Sequence, residues 1–142
     1  MMTPYSKIFE RFQGKIQDYT IDEMFLNSIE DYEDYLMGFL KSGLVKFSYC
    51  KNDLSDRDEE NRSFTADLTE LEQEILSQLM LGEWFEKEVN NILDMRLAIS
   101  SSDWKRYSES QNFKEKAVLR DKAIERADSL MMQYYLKNMS VN

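Results

Sequence analysis

The sequence predicts an all-α protein: four to five helices in a bundle, with one long acidic loop around residues 48–68. Three observations predict it. Apolar residues recur at helical spacing through most of the chain. The chain has four glycines and one proline in 142 residues, too few for a sheet protein that turns every few positions. Polar residues of helix-start type precede the periodic runs. The length fits a single helical domain over residues 1–142, and 42% hydrophobic with 13% aromatic residues is enough for a packed core.

The first helical segment runs from about Pro4 to Tyr19. Thr3 is placed to cap it and Pro4 suits its first turn, where a missing N–H costs little. Tyr5, Ile8, Phe9, Phe12, Ile16 and Tyr19 form its apolar stripe, and Gly14 weakens the helix without having to break it. The next segment starts at Thr20-Ile21-Asp22-Glu23, which reads as a capping box. Phe25, Ile29, Tyr32, Leu36, Phe39 or Leu40, Leu44 and Phe47 carry its stripe, and Glu30, Asp31, Glu33 and Asp34 its outer face. A second start at Ser28 would divide it into a short and a longer helix.

Residues 48–68 lose the period and turn polar and acidic, anchored by Leu54, Phe64 and Leu68. A connection of that length in a small domain points to function or disorder. Thr69-Glu70-Leu71-Glu72 is a second capping box. It opens a long helix through Leu71, Ile75, Leu79, Phe85, Val89, Ile92 or Leu93, and Ile99. Leu76, Met80, Leu81 and Trp84 widen the stripe, so this helix is central in the core or covered by a partner. After Ser100-Ser101-Ser102, Ser102 with Asp103 caps a short segment with Trp104 and Tyr107 as its aromatic face. A final helix follows through Phe113, Ala117, Ile124, Ala127, Met131 and Tyr134, with alternating charges outside.

The absences exclude several chemistries. The chain has no histidine, so Ser–His–Asp or Cys–His catalysis, imidazole metal sites and Glu-x-x-His di-iron sites are excluded. Its one cysteine, Cys50, forms no internal disulfide and no thiolate metal site. Without a His or Cys partner, Cys50 reads as a half-buried structural thiol, Lys51 beside it notwithstanding. Asp53, Ser55 and Arg57 fall at the first three ligand positions of a calcium loop. Arg57 is the wrong ligand there, Asp58 replaces the needed glycine and Phe64 the final glutamate. Glu70, Glu72 and Glu74 sit where a helix start favours acids. No cofactor and no catalytic group is expected, and the chain does not read as an enzyme. No apolar run spans a membrane, and the first residues lack a signal-peptide pattern, so the expectation is a soluble protein made in the cytoplasm.

Charge is uneven within a net of −9. Lys51 to Glu74 holds nine acids and three bases, whereas Trp104 to Lys137 holds eight bases and five acids. That permits head-to-tail association of copies. The basic final helix is interleaved with acids, and the acidic whole repels phosphate, so specific nucleic-acid binding is not expected. Nine methionines and the pairs Trp84-Phe85 and Met131-Met132 exceed what one helix face buries, which hints at a protein–protein surface.

Two stretches together carry a likeness. One is Cys50-Lys51-Asn52-Asp53-Leu54-Ser55-Asp56-Arg57-Asp58 running to Phe64, then Asp67-Leu68-Thr69-Glu70-Leu71-Glu72-Gln73-Glu74-Ile75-Leu76. The other is Ser102-Asp103-Trp104-Lys105-Arg106-Tyr107-Ser108 with Phe113-Lys114-Glu115. They resemble a family of small structural proteins from tailed bacteriophages of Gram-positive hosts, over roughly residues 4–136. The resemblance implies a virion protein made in the host cytoplasm, of the head–tail connector or neck adaptor type. Such a subunit forms a ring homo-oligomer beneath the portal, touches portal and tail or other neck proteins, and lets DNA pass through its channel. In that role Asp53, Asp56, Asp58 and Glu59 would face a neighbouring subunit or the lumen, and Trp84, Phe85, Trp104, Tyr107 and Met131 would lie in the core or an interface. The alternative is a small acidic helical protein that binds and inhibits or regulates a host protein.

Overall fold

Every residue from Ile75 to Gly82 is buried, and this stretch is the middle of the helix around which the protein is built. The computed structural model describes residues 2–94, 101–108 and 111–139, and the side chains of all of these except 93, 94, 104, 107, 108, 111 and 112. Its elements are β1 (Thr3–Pro4), α1 (Tyr5–Gln13), α2 (Tyr19–Asn27), α3 (Ile29–Leu44), β2 (Arg57–Asp58), β3 (Ser63–Phe64), α4 (Glu70–Asp94), α5 (Ser101–Ser108) and α6 (Gln111–Met139). The class is all-α as expected, with six helices among the described residues rather than four or five.

α4 starts at the expected box. The Thr69 N–H donates to Glu72 Oε1 at 2.8 Å, and the Glu72 N–H donates to Thr69 Oγ1 at 3.1 Å. α1, α3 and α6 pack around it, which explains its apolar breadth: α4 is the central core helix. α6 runs antiparallel to it, as Tyr134 meets Glu72 and Lys116 meets Glu88. α3 is also antiparallel, as Tyr35 meets Lys87 and Gly43 meets Leu79, where a Cβ on Gly43 would stand 3.0 Å from that of Leu79.

The other helix starts partly differ from expectation. Ser28 ends α2 and caps α3 through its hydroxyl, which accepts the Asp31 N–H at 3.3 Å. α1 stops at Gln13 rather than continuing to Tyr19, with Gly14 as its C-cap. Thr3 does not cap α1. Its hydroxyl donates to the Ala66 carbonyl and accepts the Leu68 N–H, tying the first residues to the approach of α4. α2 is capped by Asp18, whose carboxylate accepts the Thr20 and Ile21 N–H groups at 3.0 and 3.2 Å, not by Thr20. Tyr19 therefore falls at the start of a new helix and is 76% exposed instead of joining the first stripe.

The unperiodic segment is folded. β1, β3 and β2 form a small antiparallel sheet in that order, pairing Thr3 with Phe64 and Arg57 with Phe64. Arg62 closes the β2–β3 turn at φ 50°, and its carbonyl accepts the Tyr5 N–H at 2.9 Å. In α6 the buried row is Ala123, Ala127, Leu130 and Tyr134, while Ile124, 38% exposed, lies at its edge against Gly82 of α4. The alanines are small because α4 lies close there: Gln78 of α4 donates to the Ala123 carbonyl at 3.3 Å.

Candidate functional site

Four carboxylates of the acidic segment, Asp53, Asp56, Asp58 and Glu59, hold its own fold. Asp53 accepts from the N–H and hydroxyl of Ser55, at 3.0 and 2.5 Å. Asp56 accepts from the Thr65 hydroxyl at 3.1 Å, and its carbonyl accepts the Thr65 N–H at 3.0 Å. Asp58 accepts from the N–H and amide of Asn61, at 3.0 and 2.6 Å. Glu59 accepts from Arg57 at 3.0 Å and from the Tyr5 hydroxyl at 3.2 Å. These bonds hold Asp53, Asp58 and Glu59 below their ordinary carboxyl values: the Ser55 hydroxyl foremost for Asp53, the Asn61 N–H for Asp58 and the Arg57 guanidinium for Glu59. Asp53, Asp56 and Asp58 bond within the segment, Glu59 also reaches Tyr5 of α1, and the four do not converge. Among the described residues no group of three or more His, Cys, Asp or Glu is arranged to hold a metal ion.

The segment is fastened to the core by a buried carboxylate. Glu72 is 1% exposed. Besides the Thr69 N–H, it accepts from Asn52 Nδ2 at 2.8 and 3.1 Å, from Cys50 Sγ at 3.2 Å and from the Tyr134 hydroxyl at 2.7 Å. The same Tyr134 oxygen accepts the Lys51 N–H at 2.9 Å. Burial alone raises the Glu72 carboxyl, but the bonds from Thr69, Tyr134, Cys50 and Asn52 outweigh it and hold it below the ordinary range. Burial and the Glu72 carboxylate push the Cys50 thiol up to about 12, and burial raises Tyr134 as well. A thiol held protonated is a donor here and not a nucleophile.

A cleft of about 380 Å³ lies where α1, α3 and the β2–β3 turn meet. Tyr5 and Phe9 line it with Glu33, Asp34, Lys41 and Arg62. Arg62 pairs with Asp34 at 2.8 Å and stands 3.9 Å from Glu33, so its charges largely satisfy one another.

Two apolar faces remain at the surface. The first is on α2 and the start of α3, where Tyr19, Phe25, Leu26 and Ile29 are exposed, Leu26 at 81%. The second is at the C-terminal end of α6, where Met132, Tyr135, Leu136 and Met139 are exposed beside Val45 and Tyr49. There the Tyr49 and Tyr135 rings meet at a tilt, 5.2 Å apart, and a groove of about 460 Å³ opens between Lys46, Tyr49, Met131, Met132 and Tyr135. The α2 cap Asp18 accepts from the Trp84 indole at 3.1 Å, and the α6 end is pinned at Glu72. These α4 anchors lie twelve residues apart, about 18 Å along the axis.

The expected apolar surplus is therefore met at Met131-Met132, which line the second face, but not at Trp84-Phe85. Trp84 and Phe85 pack against the core, half-buried and 4.9 Å apart ring to ring, and Met131 packs there too. Phe25 and Ile29, read as core positions, are surface residues. The side chains of Trp104 and Tyr107 lie outside the described residues, as does Ile99. Glu72 and Tyr134 as a core clasp went unread, because the partners of Glu72 are 20, 22 and 62 positions away. No helix among the described residues is long and apolar enough to cross a membrane. In comparison with known proteins, no family model matches the chain, and no curated protein or solved structure matches it.

Proposed function

We propose that this chain is a non-catalytic structural protein of a tailed-phage virion, of the head–tail connector or neck adaptor type, forming a ring between portal and tail. The observation that carries the reading is the pair of exposed apolar faces, on α2 and on the end of α6, held apart on one helical core. A ring subunit needs two different side surfaces, because each heterologous contact sets one face against another face of the next copy. The sequence likeness to phage structural proteins supports the same role. Asp53 and Glu59 are exposed and Asp58 half-buried, and all three are ionised at neutral pH, so a lumen lined by them would repel DNA phosphate. Partner proteins on this reading are the portal and tail or other neck proteins.

A second reading, binding and regulation of a host protein, draws on one observation. Residues 18–40 carry seven acids and no base. Mass spectrometry of particles pelleted from a lysate of the source cells and purified by density separates the two. The chain present at several copies per portal ring supports the connector. Its absence from particles, with abundance in the soluble fraction, overturns the connector and favours a soluble host partner.

A further inference from the structure

The corner where α2 meets α3 is apolar, exposed and acidic at once. Tyr19, Phe25, Leu26 and Ile29 are at its surface. Glu23, Glu30 and Asp31 are exposed on the same stretch, and among the described residues none of the three pairs with a base. The bases before it in sequence, Arg11 and Lys15, both hold Glu74. The first base after it is Lys41, in the last turn of α3. Beneath the face the Tyr32 ring meets Phe25 edge-on, 5.1 Å away. Burial first, then the acids Glu33, Glu10 and Asp22, push the Tyr32 hydroxyl up to about 12. A cleft of about 250 Å³ opens into the corner between Glu23 and Met24 of α2 and Asp31 of α3, edged by Thr20, Asn27 and Ser28. Two unpaired carboxylates thus share one small volume beside exposed apolar side chains.

We propose that this face docks a basic amphipathic helix of a partner protein. The apolar stripe of that helix covers Tyr19, Leu26 and Ile29, and a Lys or Arg head enters the cleft, where Glu23 and Asp31 supply two counter-charges. Acids with no base among them repel nucleic acid and anionic lipid, so the occupant is a protein. The end of α6 offers no matching surplus of base, since Lys46 is held by Glu83 and Asp128 lies in its groove, so the occupant is not that face of a second copy. The inference deepens the second reading above by giving the chemistry of the partner, and a copy that holds this partner has its α2 face closed to a ring neighbour. The apolar centre supplies affinity, while the acids select for base and speed the encounter. Only a few side chains are covered, so the contact is weak and loosens with added salt.

The test is an NMR titration of the isotope-labelled full chain with a leucine–lysine peptide patterned as an amphipathic helix, and with its leucine–glutamate counterpart. The lysine peptide is expected to shift amide signals of residues 19–31 and to saturate by about 1 mM, and the glutamate peptide to shift none. Leu26→Asp adds an acid but removes the apolar centre, and is expected to weaken binding about tenfold or more. Glu23→Lys is expected to weaken it about fivefold. Glu60→Lys makes the same charge change in an exposed turn of the acidic segment and is expected to alter it less than about twofold. Binding that is unchanged or tighter in Leu26→Asp overturns the contact, because net charge alone then explains it. Equal losses for Glu23→Lys and Glu60→Lys, shifts centred on residues 51–74, or no saturation overturn it too. Oligomers of the free chain that Leu26→Asp abolishes, with no peptide bound, name a second copy as the occupant and sink the proposal. All three positions are exposed, so the variants should keep the wild-type circular-dichroism spectrum; if Leu26→Asp does not, Leu26→Ser takes its place. Failed peptide binding with the chain present in particles overturns this contact and leaves the virion role standing. Saturable binding at residues 19–31 with the chain absent from particles does the reverse.

Discussion

The hydroxyl of Tyr134 donates to the carboxylate of Glu72 at 2.7 Å inside the core, across 62 positions of sequence. The bond joins the end of α6 to the start of α4, and its oxygen also receives the Lys51 N–H from the intervening segment. A buried carboxylate is costly unless its lone pairs are filled. Here Thr69, Asn52, Cys50 and Tyr134 fill them, so the ion that begins α4 also fixes the segment before it and the helix that covers it.

Tyr134→Phe is expected to cost about 1.5–3 kcal/mol, the range for hydrogen bonds to charged groups. The ring and its contact with Phe47, at 5.1 Å, are retained, so the loss isolates the hydroxyl. Glu72→Ala should cost more, since Asn52, Cys50, Tyr134 and the Thr69 N–H lose their acceptor together. Urea denaturation of both variants checks the order. Equal stability of wild type and Tyr134→Phe would remove the clasp from the account.

The same carboxylate sets the acid limit. Glu72 has its folded value held below the ordinary one, as do Glu74, Asp53, Asp58 and Glu59. The unfolded chain therefore binds more protons as pH falls, and stability present above the ordinary carboxyl value is lost as pH drops through the folded values. In alkali the sign reverses. Tyr5, Tyr32 and Cys50 are each raised to about 12, so their contribution is complete below the unfolded values of 9.0 and 10.0 and is lost as pH climbs toward 12. With no histidine, urea midpoints should be nearly flat between about pH 6 and 8, falling on both sides. Glu72→Gln should flatten the acid limb.

Cys50 is expected to resist alkylation. A thiol raised from 9.0 to about 12 has its thiolate fraction at pH 8 cut by about three powers of ten. Iodoacetamide labelling of the folded chain should accordingly be slower than that of the unfolded chain by about 10²–10³, before steric protection. Comparable rates in the two states would show that Glu72 and burial do not hold the proton.

Asp18→Ala should destabilise α2 by about 1–3 kcal/mol, combining a lost N-cap with the orphaned Trp84 indole N–H. Thr20→Ala should cost under about 0.5 kcal/mol, as expected for a surface side chain outside the cap. Thermal denaturation of the pair decides which residue caps the helix.

That contrast marks the boundary of what local sequence carries. Thr69 and Glu72 are three residues apart and satisfy each other's N–H groups, so their box is visible in the sequence alone. Asp18 and Thr20 are both capping types two residues apart, and Trp84 at 66 positions' distance also engages Asp18. The sheet escapes periodicity because each strand has two residues, too short to alternate. In α6 the periodic stripe runs through Ile124, which does reach Gly82 of α4, yet the close approach of α4 centres the buried row on Ala123, a residue with little apolar signal. The candidate faces follow the same logic. Trp84-Phe85 is surplus on one helix face but packs against the core, with the Trp84 indole on Asp18, whereas Leu26 on α2 stays exposed.

Two glycines of α3 should respond to alanine with opposite signs. Both lie inside a helix, where Gly→Ala gains about 0.5–1 kcal/mol from reduced backbone freedom of the unfolded chain. At Gly38 a Cβ meets nothing within 4 Å, so the gain is kept and Gly38→Ala stabilises. At Gly43 the new Cβ would stand 3.0 Å from Leu79 Cβ, with α4 backbone atoms at 3.5 and 3.6 Å. Neither neighbour is the far end of a flexible chain, and Leu79 is itself buried, so α3 must move off α4. Overpacking of that kind costs about 1–3 kcal/mol and outweighs the propensity gain. Gly43→Ala should lower the urea midpoint while Gly38→Ala raises it. A rise in both would mean that the α3–α4 contact is looser than a glycine-sized approach requires.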